Sequence, residues 1–190
     1  AAAGTIGHDQ FIQAVTEKFA PPASPKALTE LPAPQSSARI QLRNKKALEQ
    51  VQICLGVPAP PITDENRYAT LILNTVLGGG MSSRLFQTIR EERGMAYSVF
   101  SDLSPYRDTG TLCIYAGTSA GKALETIDLI LAEFRNLKDV ALSDEEHTRA
   151  KDQTKGNIRK GLERSNSRKA HPPPQELYSG QFLAAEETAA

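Results

Sequence analysis

Leu77-Gly-Gly-Gly-Met-Ser-Ser-Arg-Leu-Phe-Gln-Thr-Ile-Arg-Glu-Glu-Arg-Gly-Met-Ala-Tyr-Ser-Val-Phe-Ser101 holds the ends of two helices and the start of a strand in one unbroken run. Gly78-Gly79-Gly80 stops a helix that Thr63 or Asp64 caps and whose buried stripe is Ala69, Ile72, Leu73, Val76 and Leu77. Ser82 or Ser83 then starts a second helix, on which Leu85, Phe86 and Ile89 pack, and Gly94 stops it. Beyond Gly94 the pattern becomes that of a strand over 96–102, a turn holding Pro105 and Asp108-Thr109-Gly110, and a further strand over 111–117.

Outward from this run the same rules extend the reading. Upstream, Ile40 and Leu42 and then Val51, Ile53 and Leu55 alternate as two half-buried strands. Downstream, Leu124, Ile127, Leu131 and Phe134 share one helix face, and Ser143-Asp144-Glu145-Glu146 opens a last helix toward Leu162 in capping-box fashion. The order ββααββαα, with hairpin-type neighbours in place of strict strand-helix alternation, predicts an α+β fold: a mixed or antiparallel sheet with helices packed on one face.

Residues 1–19 read as the terminal strand and helix of an upstream domain, with Phe11, Ile12, Val15 and Phe19 at helical spacing and Asp9 as N-cap. Residues 20–38, with five prolines and almost no periodicity, read as an extended linker, and 39–190 as the main domain. The start, Ala1-Ala2-Ala3-Gly4, lacks both a Met and a basic-then-apolar leader, so the expectation is a piece of a longer chain.

The 190 residues carry 22 Lys plus Arg against 22 Asp plus Glu, and this formal neutrality argues against nucleic acid or an anionic membrane as partner. No apolar run approaches the roughly 18 residues that read as a membrane-spanning helix. Self-contained catalysis finds no support. His8, His147 and His171 are far apart, and neither His-Glu-x-x-His nor His-x-x-Glu-His occurs. Gly117-Thr-Ser-Ala-Gly121-Lys122-Ala123 imitates a phosphate-binding loop. It has too few residues between its glycines, and Ala123 stands where a magnesium-binding Ser or Thr is needed, so it reads as a strand-to-helix hinge. Cys54 and Cys113 sit in apolar stretches with no nearby His and read as buried free thiols. Glu91 and Glu92, adjacent on a helix and so about 100° apart, read as a solvated face.

The run 77–101 closely resembles the C-terminal-half signature of the pitrilysin/insulinase family of zinc metallopeptidases, which includes the mitochondrial processing peptidase and core subunits of respiratory ubiquinol-cytochrome c reductase. Residues 1–19 resemble the family's strand and helix before its linker, and Tyr178-Ser-Gly-Gln-Phe182 resembles its Tyr-x-Gly-x-Phe segment. The resemblance implies a clamshell in which one half carries the H-x-x-E-H zinc chemistry and the other closes over a peptide. This chain is similar to the second half. It implies no cofactor in this chain, zinc in the partner half, and an H-x-x-E-H half or subunit and a peptide substrate as partners. It also implies no hydrolysis by this chain alone.

In active members an Arg, and a Tyr seven residues later, contact the peptide. Those positions are Arg90 and Tyr97 here. On the residues alone, Arg90 reads as a partner for the helix C-terminal dipole and Tyr97 as a half-buried strand aromatic. A reversal at Gly94 permits both to approach one surface. Arg84 reads as structural, tying its helix start to neighbouring backbone. A catalytically inactive scaffold subunit of the same fold is the alternative function, and an isolated half with an apolar inner face is expected to self-associate as a homodimer. One departure from the family stands at Pro172-Pro173-Pro174, which cannot continue a helix where relatives have one.

Overall fold

The computed structural model describes residues 2, 4–19, 32, 34–45, 47–161 and 163. Pro172-Pro173-Pro174 and Tyr178-Ser-Gly-Gln-Phe182 lie outside them, as does most of the proline-rich 20–38 stretch. The chain divides into two compact units, one of residues 1–33 with 156–190 and one of 34–155.

In the first unit, helix α1 spans His8–Lys18 and begins after Gly7, so Asp9 lies in its first turn and not at the cap. It has no fully buried residue; Ile12 is exposed, and so is Phe19 just beyond its end.

The second unit is built on a three-stranded antiparallel sheet of order β1-β3-β2, from β1 (Val51–Ala59), β2 (Ala96–Pro105) and β3 (Gly110–Thr118). A tight turn, with Tyr106 N–H on the Thr109 carbonyl at 2.7 Å, joins β2 to β3 as an antiparallel hairpin, and β1 pairs antiparallel along the other side of β3. One face buries Val99, Leu112, Ile114 and Ala116 against Leu77 of α2 (Arg67–Gly78), Leu85, Ile89 and Ile130 of α3 (Ala123–Asp139). Each of these large aliphatic side chains contributes about 1.5–3 kcal/mol by leaving water. Helix α4 (Asp144–Gly161) docks through a buried hydroxyl pair, Thr75 and Thr154, 3.1 Å apart.

Helix α2 starts after Asn66. Asp64 organises the turn before it, its carboxylate accepting the Asn66 N–H at 2.7 Å. At the other end Gly78 is obligatory, since a Cβ there would collide with Ser101 of β2, whose hydroxyl already donates to Asn74 Oδ1 at 2.7 Å.

Three further local expectations differ from the structure. Residues 39–44 form no strand, and Ile40 and Leu42 are almost wholly exposed. In α3 the buried face centres on Thr126 and Ile130, and Leu124 is 78% exposed. A 3-10 turn at Ala120–Lys122 precedes the helix, and the buried stripe follows positions 126 and 130 in place of the 124-led spacing. The cysteines are free but not buried: Cys54 is exposed and Cys113 half-buried. The alternation that turns Ile53 and Leu55 inward necessarily turns Cys54 outward.

The uncovered sheet face therefore carries Cys54, Cys113, Tyr115 and Phe100, the two rings stacked with centroids 5.2 Å apart. Partial burial, and then the neighbouring Cys54, push the Cys113 thiol up from its ordinary value.

Candidate functional site

The helix after the glycine run is wound as a π-helix over Phe86–Glu92. Its start is fixed by Ser83, buried, whose hydroxyl donates to the Gly80 carbonyl at 2.6 Å. Ile89, fully buried, anchors it to the core, and Arg90, one residue on, is exposed. The end is closed by nested bonds: Gly94 N–H reaches the Arg90 carbonyl at 3.1 Å and Met95 N–H the Ile89 carbonyl at 2.9 Å. Gly94 takes φ +55, the left-handed conformation that lets a chain leave a helix and that a Cβ disfavours.

Strand β2 begins with an irregularity. Ala96 pairs with Thr118 and Ser98 with Gly117, which leaves Tyr97 as an extra residue in a β-bulge. Bulges re-aim side chains, and Tyr97 is 76% exposed. Arg90 and Tyr97 thus stand on either side of one short reversal, both presented to solvent by non-regular backbone. No hydrogen bond joins them. Arg90 lies over the Phe86 ring, its guanidinium carbon 4.9 Å from the centroid, with Nε 4.0 Å from Glu91 Oε1.

The reversal is clamped from β3 and the turn after it. Thr118, buried, donates its hydroxyl to the Met95 carbonyl at 2.6 Å, and Lys122 Nζ donates to the Gly94 carbonyl at 3.1 Å. Thr126 backs this clamp by donating to the Lys122 carbonyl at 2.9 Å. The strand-to-helix segment that imitates a phosphate loop therefore directs its lysine to a backbone carbonyl. Beside Tyr97 an open hollow of about 380 Å³ is lined by Glu49, Gln50, Ser119 and Lys122 among others. Sequence reasoning finds Arg90 and Tyr97 only through the family signature, and it reads the segment holding Thr118 and Lys122 as a hinge without seeing the clamp, because the carbonyls they bind belong to a distant part of the sequence.

Arg84 is structural, as expected, but its partner is a side chain and not backbone. Its guanidinium grips Glu146 of α4 with two bonds, Nε to Oε1 at 2.7 Å and Nη2 to Oε2 at 2.6 Å. Ser143 Oγ accepts the Glu146 N–H at 3.2 Å, so half of the capping box forms while Arg84 takes the carboxylate. The pair holds Glu146 below the usual carboxylate range, chiefly through these hydrogen bonds.

Among the described residues no three His, Cys, Asp or Glu side chains gather as a metal site, and no helix is long and apolar enough to cross a membrane.

An antiparallel sheet with helices packed on one face makes the second unit an α+β domain, with Arg90 and Tyr97 exposed on either side of a clamped reversal. The family model described as "Peptidase M16 inactive domain" matches residues 1–154, and the chain belongs to that family. Among curated relatives it is 37% identical over 185 residues to the uncharacterized zinc protease YmxG of Bacillus subtilis, covering 97% of this chain and 45% of that protein. An uncharacterized zinc protease of Streptomyces coelicolor is 34% identical over 197 residues, 98% of this chain and 42% of its own. The chain thus spans under half the length of these relatives.

Solved structures share the fold. A chain of complex III2 from Candida albicans superposes with a TM-score of 0.84 at 20% identity, covering 97% of this chain and 46% of that one. A protease from Helicobacter pylori superposes at 0.76 with 21% identity, covering 98% and 49%.

Proposed function

We propose that this chain is the non-zinc half of a two-half zinc metallopeptidase, binding an extended peptide and completing the active site of an H-x-x-E-H half. The observation that carries the reading is the presentation of Arg90 and Tyr97. Each is exposed, each is set by backbone that departs from regular helix or strand, and one clamped reversal separates them. Unpaired π-winding and bulges are costly to keep and recur at functional sites.

Among the described residues strand β2 is an edge of the sheet, and its outer side offers backbone groups to which an extended peptide adds as a further strand. Tyr97 at its start then donates its hydroxyl to the scissile carbonyl oxygen as negative charge develops. One well-placed donor of this kind is worth about 3–4 kcal/mol. Arg90, with its rigid fork, holds peptide carbonyls or a carboxylate. The zinc belongs to the partner half, and the chain alone hydrolyses nothing.

The test is cleavage of a fluorogenic peptide mixture by this chain, by its H-x-x-E-H partner half, and by both together, with Arg90→Ala and Tyr97→Phe variants in the mixture. Activity in the mixture only, lowered about 100-fold by Tyr97→Phe and also reduced by Arg90→Ala, is the expected result. Full activity of the partner alone, or indifference to both substitutions, overturns the reading and leaves an inactive scaffold subunit in its place.

A further inference from the structure

We propose that Cys54 and Cys113 together form a two-thiolate binding site for a soft metal ion of the copper(I) class, on the uncovered face of the sheet. The register pairs Cys54 with Tyr115 and Gly56 with Cys113, so the two cysteines are diagonal neighbours on adjacent strands and face the same side. The sulfur of Cys113 leans toward β1 over bare backbone: a Cβ on Gly56 would lie 3.4 Å from it. Cys54 is exposed and Cys113 half-buried, so an ion reaches both from solvent.

Separation decides what the pair can hold. Diagonal neighbours in an antiparallel pair have Cα atoms about 7–8 Å apart. A disulfide wants its Cα atoms within about 6.8 Å and its sulfurs at about 2.05 Å, so direct oxidation requires the strands to shift. One interposed metal removes that strain, since two metal–sulfur bonds of about 2.3 Å span up to about 4.6 Å between sulfurs. No third ligand gathers here among the described residues, which does not suit four-coordinate zinc and suits a thiophilic ion satisfied by two sulfurs. Phe100 and Tyr115 stack beside the pair and Asp102 stands opposite Cys113 in the register, so one carboxylate is near, short of the oxygen cage a hard ion needs. On binding, each thiol gives up its proton and forms one sulfur–metal bond: two thiols and one monovalent cation yield one bis-thiolate complex and two protons, with no change of oxidation state.

The experiment titrates the intact chain with copper(I), supplied anaerobically as its acetonitrile complex, against a chromophoric copper(I) chelator. The wild type is expected to take one equivalent, release two protons and develop an ultraviolet thiolate-to-copper band. Cys54→Ser, Cys54→Ala and Cys113→Ser are each expected to weaken binding at least about 100-fold, as for loss of one of two ligands, while Tyr115→Phe leaves it unchanged. Position 54 is exposed, so its variants keep the fold, which circular dichroism checks. Wild-type affinity within threefold of either Cys54 variant overturns the proposal. So does rapid closure of an intramolecular disulfide by diamide with no change in melting temperature, because the sulfurs would then pair directly.

Discussion

Arg84 and Glu146 illustrate how one residue pair joins distant parts of the second unit. The guanidinium at the start of the π-wound segment and the carboxylate in the first turn of α4 are 62 residues apart in sequence, and both are largely shielded, with 18% and 17% of their side chains exposed. An ion pair this sheltered and bidentate counts for more than an exposed one. Glu133 adds a second negative charge within range of Arg84. Arg84→Ala therefore takes the shared cation away from both carboxylates, and is expected to cost about 1–3 kcal/mol in urea unfolding, between the values for surface and buried pairs. The pH dependence has a definite sign. Glu146 is held below its unfolded value, so its contribution is fully present above about pH 4.3 and disappears as pH falls through the lower folded value. Urea midpoints of the wild type and Glu146→Gln should differ by a constant amount above about pH 5 and converge only as pH falls below the ordinary carboxylate range. A gap that persists unchanged into acid would show that packing, and not charge, makes the difference.

At the scale of elements, the reversal between the π-helix and β2 does most to place the candidate site. Gly94 at φ +55 has open space where a Cβ would lie, so Gly94→Ala meets backbone strain alone and is expected to cost about 1–2 kcal/mol in a denaturant titration. Thr118→Val removes the 2.6 Å bond to the Met95 carbonyl and leaves a shielded acceptor unmet, which costs about 1–3 kcal/mol. Thr118→Ser should restore both stability and any peptide turnover in the mixed assay. A Val variant as active and stable as the wild type would show that the clamp is dispensable.

Much of this architecture was legible. The stripe Ile72, Leu73, Val76 and Leu77 led correctly to α2, and the alternation in 51–55, 96–102 and 111–117 led to the three observed strands. What escaped has physical causes. A π-helix and an α-helix bury the same residues near their anchor, so Leu85, Phe86 and Ile89 gave no sign of the winding. A bulge is a property of pairing and not of one strand, so Tyr97 showed no sign of being the extra residue. The segment 39–44 has strand-like alternation but gains no strand partner among the described residues, and periodicity cannot supply one.

For the whole chain, charge and surface act in the same direction. The formal net charge is zero and the sequence pI is about 7.1, so near neutral pH little electrostatic repulsion keeps copies apart. Among the described residues of the second unit one sheet face stays open, with Tyr97, Phe100 and Tyr115 exposed on its strands, and Ile40 and Leu42 bare in the extended segment before β1. Contiguous apolar surface of this kind favours association when nothing covers it. The isolated chain is therefore expected to show concentration-dependent self-association in sedimentation velocity near pH 7, weakening at pH 9, above the sequence pI, where every copy carries net negative charge. The mixed sample offers the sharper measurement. If the uncovered face is where an H-x-x-E-H half closes, adding that half should replace self-association with a one-to-one complex, and Phe100→Ser together with Tyr115→Ser should weaken both. Self-association that survives this double substitution, or that is greater at pH 9 than at pH 7, would assign the contact to another surface, with the bare Ile40 and Leu42 segment the next to be replaced.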